Sequence, residues 1–131
     1  MATLLAAGTL AGCGGSSGAS ASTRSGSANS AHHRRHVGAL KVAADPSGRL
    51  RYRPSVLRTR SHDVAIHVVN HSGVFHNFTL ATSRGVVLGA TPTFNGGTRT
   101  LTVKLKPGRY TFYCSVPGHR AAGMHGTLIV R

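Results

Sequence analysis

A chain of 131 residues, 40% of them hydrophobic, is sized for one modest domain. Lys and Arg together number 16 against only Asp45 and Asp63, a formal charge of +14 that speeds encounters with acidic proteins or anionic lipid headgroups. The basic residues are scattered along the sequence instead of gathering on one helix or around an RNA-binding aromatic motif, so nucleic acid is not the expected partner.

Ala2 to Leu10 is a short apolar run, too short to span a bilayer in the usual way but long enough for the core of a signal peptide. Leu10-Ala11-Gly12-Cys13 follows and resembles the lipobox of bacterial lipoproteins, in which the signal is cleaved just before a Cys that then carries lipid. The resemblance implies a signal peptide over residues 1–12, a lipidated Cys13 held on the bacterial cell membrane, and an exported, extracytoplasmic protein. From Gly14 to about His36 the residues are almost entirely Gly, Ser, Ala, Thr, Asn, His and Arg, a mixture that cannot bury enough apolar surface to offset the entropy of ordering. Residues 13–36 are therefore expected to be a lipidated Cys and a flexible linker, ending in the solvated basic stretch His32-His33-Arg34-Arg35-His36. The folded domain is expected over residues 37–131.

Within that domain the periodicity is that of strands. Val64, Ile66 and Val68 alternate with Ala65, His67 and Val69, while Leu101, Val103 and Leu105 alternate with Thr102 and Lys104. Tyr110, Phe112 and Cys114 repeat the period of two. Asp45-Pro46-Ser47-Gly48, Asn70-His71-Ser72-Gly73, Asn95-Gly96-Gly97 and Lys106-Pro107-Gly108 supply the turns between such runs. Strands are predicted near residues 38–44, 49–53, 55–60, 63–70, 75–81, 99–105, 109–114 and 126–131, with a turn near Gly89 to Phe94. Seven to eight short strands punctuated in this way predict an all-β antiparallel sandwich of two sheets.

The chemistry concentrates at the end of the chain. Cys114, His119 and Met124 stand at equal intervals in Cys114-Ser115-Val116-Pro117-Gly118-His119-Arg120-Ala121-Ala122-Gly123-Met124, offering a thiolate, an imidazole and a thioether from one loop. Two soft sulfurs with imidazole select copper over hard cations such as magnesium or calcium. A second His is needed from another strand, and Val74-Phe75-His76-Asn77-Phe78 supplies His76, whose polar His-Asn pair in an apolar strand is costly unless something satisfies it. His62, His67 and His71 lack ligand partners at useful spacing, and His125 would face away from Met124 along an extended segment, so none is assigned to the metal. Cys13 and Cys114 each have a separate explanation, and no disulfide between them is expected.

These residues, with Leu50-Arg51-Tyr52, Pro54, Asn70, Pro107-Gly108-Arg109-Tyr110-Thr111-Phe112-Tyr113 and Gly126-Thr127-Leu128-Ile129-Val130, resemble the cupredoxins. The double spacing of four is most similar to the auracyanin and rusticyanin type. The resemblance implies a Greek-key cupredoxin sandwich with His76, Cys114 and His119 as equatorial ligands of one Cu(I)/Cu(II) ion and Met124 as the long axial ligand. It assigns Asn77 the hydrogen bonds that tie the two ligand-bearing loops together. It also places His119 near an apolar patch of Val116, Pro117, Gly118, Ala121, Ala122 and Gly123 through which electrons would pass, with Arg120 adding a charge at its edge.

The expected function is single-electron transfer between extracytoplasmic redox partners with acidic docking surfaces, without enzymatic turnover, because four protein ligands leave no open position for substrate. A copper carrier or storage protein using the same pocket is the alternative. A third reading is an immunoglobulin-like adhesion module whose Cys and His are incidental.

Overall fold

The structure is a computed structural model and describes residues 36–131. The proposed signal peptide, the lipidation position Cys13 and nearly all of the proposed linker lie outside the described residues. Nine strands form two sheets, and no helix occurs among the described residues.

The first sheet is built from β1 (Val37–Ala44), β2 (Tyr52–Arg53), β4 (Asp63–Asn70) and β7 (Gly97–Lys104), in the order β2-β1-β4-β7. The second contains β3 (Val56–Thr59), β5 (Thr79–Thr82), β6 (Val87–Ala90), β8 (Gly108–Tyr113) and β9 (His125–Val130), in the order β3-β9-β8-β5-β6. The period of two read in the sequence sets which side chains face inward. On β4, Val64, Ile66, Val68 and Asn70 are buried while the residues between them are half-buried. Val64, Ile66 and Val68 meet Leu80, Phe112 and Leu128 of the opposite sheet, and Phe78 just before β5, in one core. Phe78 stacks on Phe112 with ring centroids 5.0 Å apart, and Tyr52 sets its edge against both rings.

The all-β, two-sheet expectation holds, with three differences in detail. β1 pairs with β4 and β3 with β9 in parallel, so the sheets are mixed instead of purely antiparallel. The turn expected near Gly89 to Phe94 does not form: Gly89 and Ala90 complete a strand, β6, on the outer edge of the second sheet, and residues 91–93 run irregularly to the Phe94 bridge. The exposed Val87 and Leu88 of β6 lack the in-out alternation that marks a half-buried strand in sequence. The expected strand at 75–81 is likewise divided. His76 makes only an isolated bridge to Phe94, and regular pairing starts at Thr79.

The pairing registers define two poles. Val37, Asp63 and Lys104 lie side by side at one end of the first sheet, and Thr59, Val130 and Gly108 do so in the second. At the other end, β4 finishes at Asn70 and β8 at Tyr113, delivering the chain into the two segments that carry the candidate ligands.

Candidate metal centre

Cys114 directly follows β8, and its amide donates to the Met124 carbonyl at 3.0 Å. Met124 in turn donates from its amide to the carbonyl of His119, also at 3.0 Å. Further bonds within the loop run from the His119 amide to the Val116 carbonyl and from the Ala122 amide to the Gly118 carbonyl. Gly118 has φ 82° and Gly123 φ 106°, left-handed values that side-chain-bearing residues rarely adopt. The loop thus holds its shape through its own backbone bonds, bringing residues from positions 114, 119 and 124 onto one side.

His76 arrives from the other segment. Its backbone exchanges two hydrogen bonds with Phe94, from His76 amide to Phe94 carbonyl at 3.0 Å and back at 2.8 Å. Asn70, fully buried at the end of β4, braces this bridge. Its amide group donates to the carbonyls of Val74 and Phe94, both at 2.8 Å, and its Oδ1 accepts from the amide and hydroxyl of Ser72. Every hydrogen-bonding position of that buried side chain is therefore used.

The two segments meet with three donor atoms converging. His76 Nδ1 lies 3.1 Å from His119 Nδ1, while Cys114 Sγ lies 3.9 Å from the first and 3.5 Å from the second. His76, Cys114 and Met124 are buried, and His119 is half-buried. Bonds of about 2.0 Å to nitrogen and about 2.3 Å to sulfur, the lengths zinc makes, reach a common point among three atoms so spaced. The donor chemistry is that of a soft transition ion, two imidazoles and a thiol with a thioether buried beside them. Burial pushes the His76 imidazole below its ordinary pKa, and the neighbouring His119 charge pushes it the same way, favouring the unprotonated ring that a metal requires.

Asn77 ties the segments together. Its Nδ2 donates to Ser115 Oγ at 2.6 Å, its Oδ1 accepts from the Ser115 amide at 2.7 Å, and its own amide donates to Cys114 Sγ at 3.5 Å. The thiol sulfur is thereby approached by a backbone N–H, an arrangement that stabilises a thiolate. Sequence reasoning assigned no supporting role to the residues that complete this arrangement. The Tyr52 hydroxyl donates to the Asn77 carbonyl, Ser115 receives the Asn77 side chain, and Phe94 bridges His76. Tyr52 belongs to the segment that carries the family resemblance, but it lies 25 residues from Asn77 along the chain, so no local pattern could have shown the bond between them.

The remaining histidines stay outside the group. His62, His71 and His125 are exposed, and His67 bonds Thr100 Oγ1 at 3.0 Å on the outer face of the first sheet. Around His119, Pro117, Gly118, Ala121, Ala122 and Gly123 are exposed and Val116 is half-buried. Arg120 lies over the Tyr113 ring at 4.1 Å from its centroid, at the margin of that small-residue surface.

Comparison with known proteins gives this geometry a family. Auracyanin B is 27% identical, with 72% of this chain and 88% of that one covered at a TM-score of 0.63. Auracyanin A, a "blue" copper protein from Chloroflexus aurantiacus, is 21% identical, with 73% and 100% covered at a TM-score of 0.65. Rusticyanin from Thiobacillus ferrooxidans shares 19% identity over 71% of this chain and 76% of its own, at a TM-score of 0.54. No curated protein matches the sequence. The family of copper binding proteins typified by plastocyanin and azurin matches residues 39–131, which span both sheets and all four candidate ligands, and the chain belongs to that copper-binding family.

Proposed function

We propose that His76, Cys114, His119 and Met124 hold one copper ion and that the protein passes single electrons between extracytoplasmic redox partners. One observation carries the reading. Three donor atoms lie 3.1 to 3.9 Å apart in a pocket whose walls are fixed by hydrogen bonds that do not involve a metal. Copper bound there supplies a one-electron Cu(I)/Cu(II) couple.

The chain's own residues do the rest. The Asn77–Ser115 bonds and the Cys114–Met124 backbone bond resist movement of the donors, so neither oxidation state requires the pocket to be rebuilt. Burial of Cys114 excludes water from the thiolate. The half-buried His119, ringed by small exposed residues, is the group through which a partner would couple to the centre, and Arg120 at its edge favours an acidic one. A rigid, largely buried pocket suits electrons better than the handing on of ions, which favours this reading over a copper carrier. The lipobox resemblance supports export and anchoring through Cys13.

The test is the visible absorption of the purified protein on adding Cu(II), compared with Cys114→Ser. An intense thiolate-to-copper band is expected in the parent and not in the variant, with the colour lost and regained over repeated reduction and oxidation without loss of metal. A colourless parent would sink the copper site. Ready release of copper to an apo-acceptor on reduction would favour the carrier.

A further inference from the structure

We propose that the pole opposite the metal-ligand group is a docking surface for an anionic lipid bilayer, holding the protein with its His119 face turned toward solvent. The proposal goes beyond the copper reading, and rests on the membrane-anchored reading of the N-terminus only for the choice of a bilayer as occupant.

The strand registers place the surface. β1 starts, β4 starts and β7 ends at this pole in one sheet, while β3 ends, β8 starts and β9 ends there in the other. Short connections between the sheets bring these ends together, from Thr59 of β3 to Asp63 of β4 and from Lys104 of β7 to Gly108 of β8, and a Cβ at Gly38 of β1 would lie 2.9 Å from Thr59 Oγ1 of β3. Within each sheet further bonds extend the pairing to this pole. The Leu105 amide donates to the His62 carbonyl at 2.7 Å, the Arg131 amide to the Thr59 carbonyl at 3.0 Å, and His36 Nδ1 lies 3.0 Å from Ser61 Oγ. The eight residues of β4 separate this pole from the Asn70 end, a distance on the order of 25 Å at the usual strand rise.

Its charge is one-signed. Arg58, Arg60, Arg84, Lys106 and Arg109 are exposed there, and none makes a salt bridge among the described residues. The pole's single acidic side chain, Asp63, is already paired with Lys104 at 3.6 Å. By contrast, Arg51 and Arg53 at the metal pole share Asp45, Arg99 packs over Phe94 and Arg120 over Tyr113. Val37, 50% exposed, and Val86, 60% exposed, lie among the free cations of the far pole. Cations interspersed with protruding apolar side chains match the headgroup plane of a bilayer, where the charges meet lipid phosphates and the methyls enter the acyl boundary. Single-stranded nucleic acid would call for stacking rings, and the exposed Phe75 adjoins His76 at the other pole.

The covalent chain favours the same occupant. It enters the domain at His36, on this pole, and Arg34 and Arg35 immediately precede that residue. A chain anchored through Cys13 is therefore tied to the membrane from the basic side, so anchor and charge act on one face.

The test uses the mature chain, residues 13–131 with Cys13→Ser, so that neither an acyl group nor the apolar signal segment contributes, loaded with copper and sedimented with vesicles at low salt. Binding is expected to phosphatidylcholine vesicles containing phosphatidylglycerol, with little to phosphatidylcholine alone, and is expected to fall as salt rises. A variant combining Arg58→Gln, Arg60→Gln and Arg109→Gln should bind on the order of a hundredfold more weakly, since each basic residue at an anionic surface contributes roughly a fivefold factor. A variant combining Arg49→Gln, Arg99→Gln and Arg120→Gln, with the same loss of charge at the metal pole, should bind like the parent. Circular dichroism checks folding, and Arg84→Gln with Lys106→Gln, both in turns, replaces the first variant if it does not fold. Equal binding to neutral vesicles, or equal loss in both charge variants, overturns the proposal. Tighter binding to a DNA duplex or an acidic protein through the same arginines would assign the pole to that partner instead. The visible band reports the copper site separately, so a colourless protein that still binds anionic vesicles sinks only the copper reading.

Discussion

At the scale of single residues, Asn77 shows how a site is held without being a ligand. Its side chain makes two bonds to Ser115, across the gap between the His76 segment and the Cys114 loop, and its backbone N–H points at the thiol sulfur. Asn77→Ala removes the first two and leaves the third. At the usual net worth of a hydrogen bond, the apo protein should lose about 1–3 kcal/mol, read as a lower midpoint in urea with an unchanged slope. The copper-loaded variant should keep its thiolate-to-copper band, because no donor atom has gone. Its repeated redox cycling should cost metal that the parent retains, because the two segments are no longer clamped. A variant as stable as the parent, with copper held equally well, would show that the clamp is dispensable. Tyr52 supports the same residue from beneath by donating to its carbonyl, and burial pushes the Tyr52 phenol far above its ordinary pKa, so the proton it donates stays in place.

At the scale of elements, β9 must approach its neighbours closely enough to return the chain from Met124 into the sheet. Gly126 makes that possible. A Cβ there would lie 2.3 Å from the Ser55 carbonyl oxygen and 2.3 Å from the Phe112 ring, a collision with backbone as well as with a fully buried side chain. Gly126→Ala should therefore destabilise the protein by about 1–3 kcal/mol, the usual range for overpacking, seen as an earlier thermal transition. An unchanged transition would mean that β3 and β9 yield easily. Elements of this kind divide what sequence can and cannot convey. The strands with one face in the core, β4 above all, were legible because burial imposes an alternation of side chains. β6 was not, since an exposed edge strand carries no such pattern, and the parallel pairings β1–β4 and β3–β9 depend on partners distant in sequence. The candidate ligands were legible for a chemical reason: a thiol, an imidazole and a thioether at equal spacing have few other uses together. Tyr52 and Asn70 carried part of the family resemblance, but the bonds by which they and Phe94 support the ligands came from tertiary contact and left no local trace.

At the scale of the whole molecule, the protein separates its roles along the strand axis, with the metal-ligand group at one pole and unpaired cations at the other. Carboxylates are scarce, and Asp45 is placed where it counts for the metal pole, in the turn between β1 and β2. Its Oδ1 accepts from the Ser47 hydroxyl at 2.6 Å and the Ser47 amide at 3.0 Å, and its Oδ2 accepts from Arg51 Nε at 2.5 Å and Arg53 Nε at 3.1 Å. The bonds from Ser47 first, then that from Arg51, hold its carboxyl well below the ordinary value of 3.8, against the opposing effect of burial. The sign of the consequence follows from which state takes up the proton. The unfolded chain protonates Asp45 near its ordinary value while the folded chain still resists, so stability rises with pH across that interval. The contribution is whole above about pH 4 and is lost as pH falls further toward the folded-state value. Asp45→Asn keeps the size of the side chain but gives up the charge that holds Arg51 and Arg53. Its thermal midpoint should lie below the parent's at neutral pH, and the gap should narrow steadily in acid as the parent's unfolded chain takes up a proton on Asp45 that its folded state does not. A gap that stays constant down to about pH 2, or widens, would mean that the turn draws its stability from something other than the charged carboxylate. Because Tyr52 of β2 packs in the core and bonds Asn77, loosening this turn should also reach the metal-ligand group, making Asp45→Asn slower to recover its thiolate-to-copper band after unfolding and refolding with copper present.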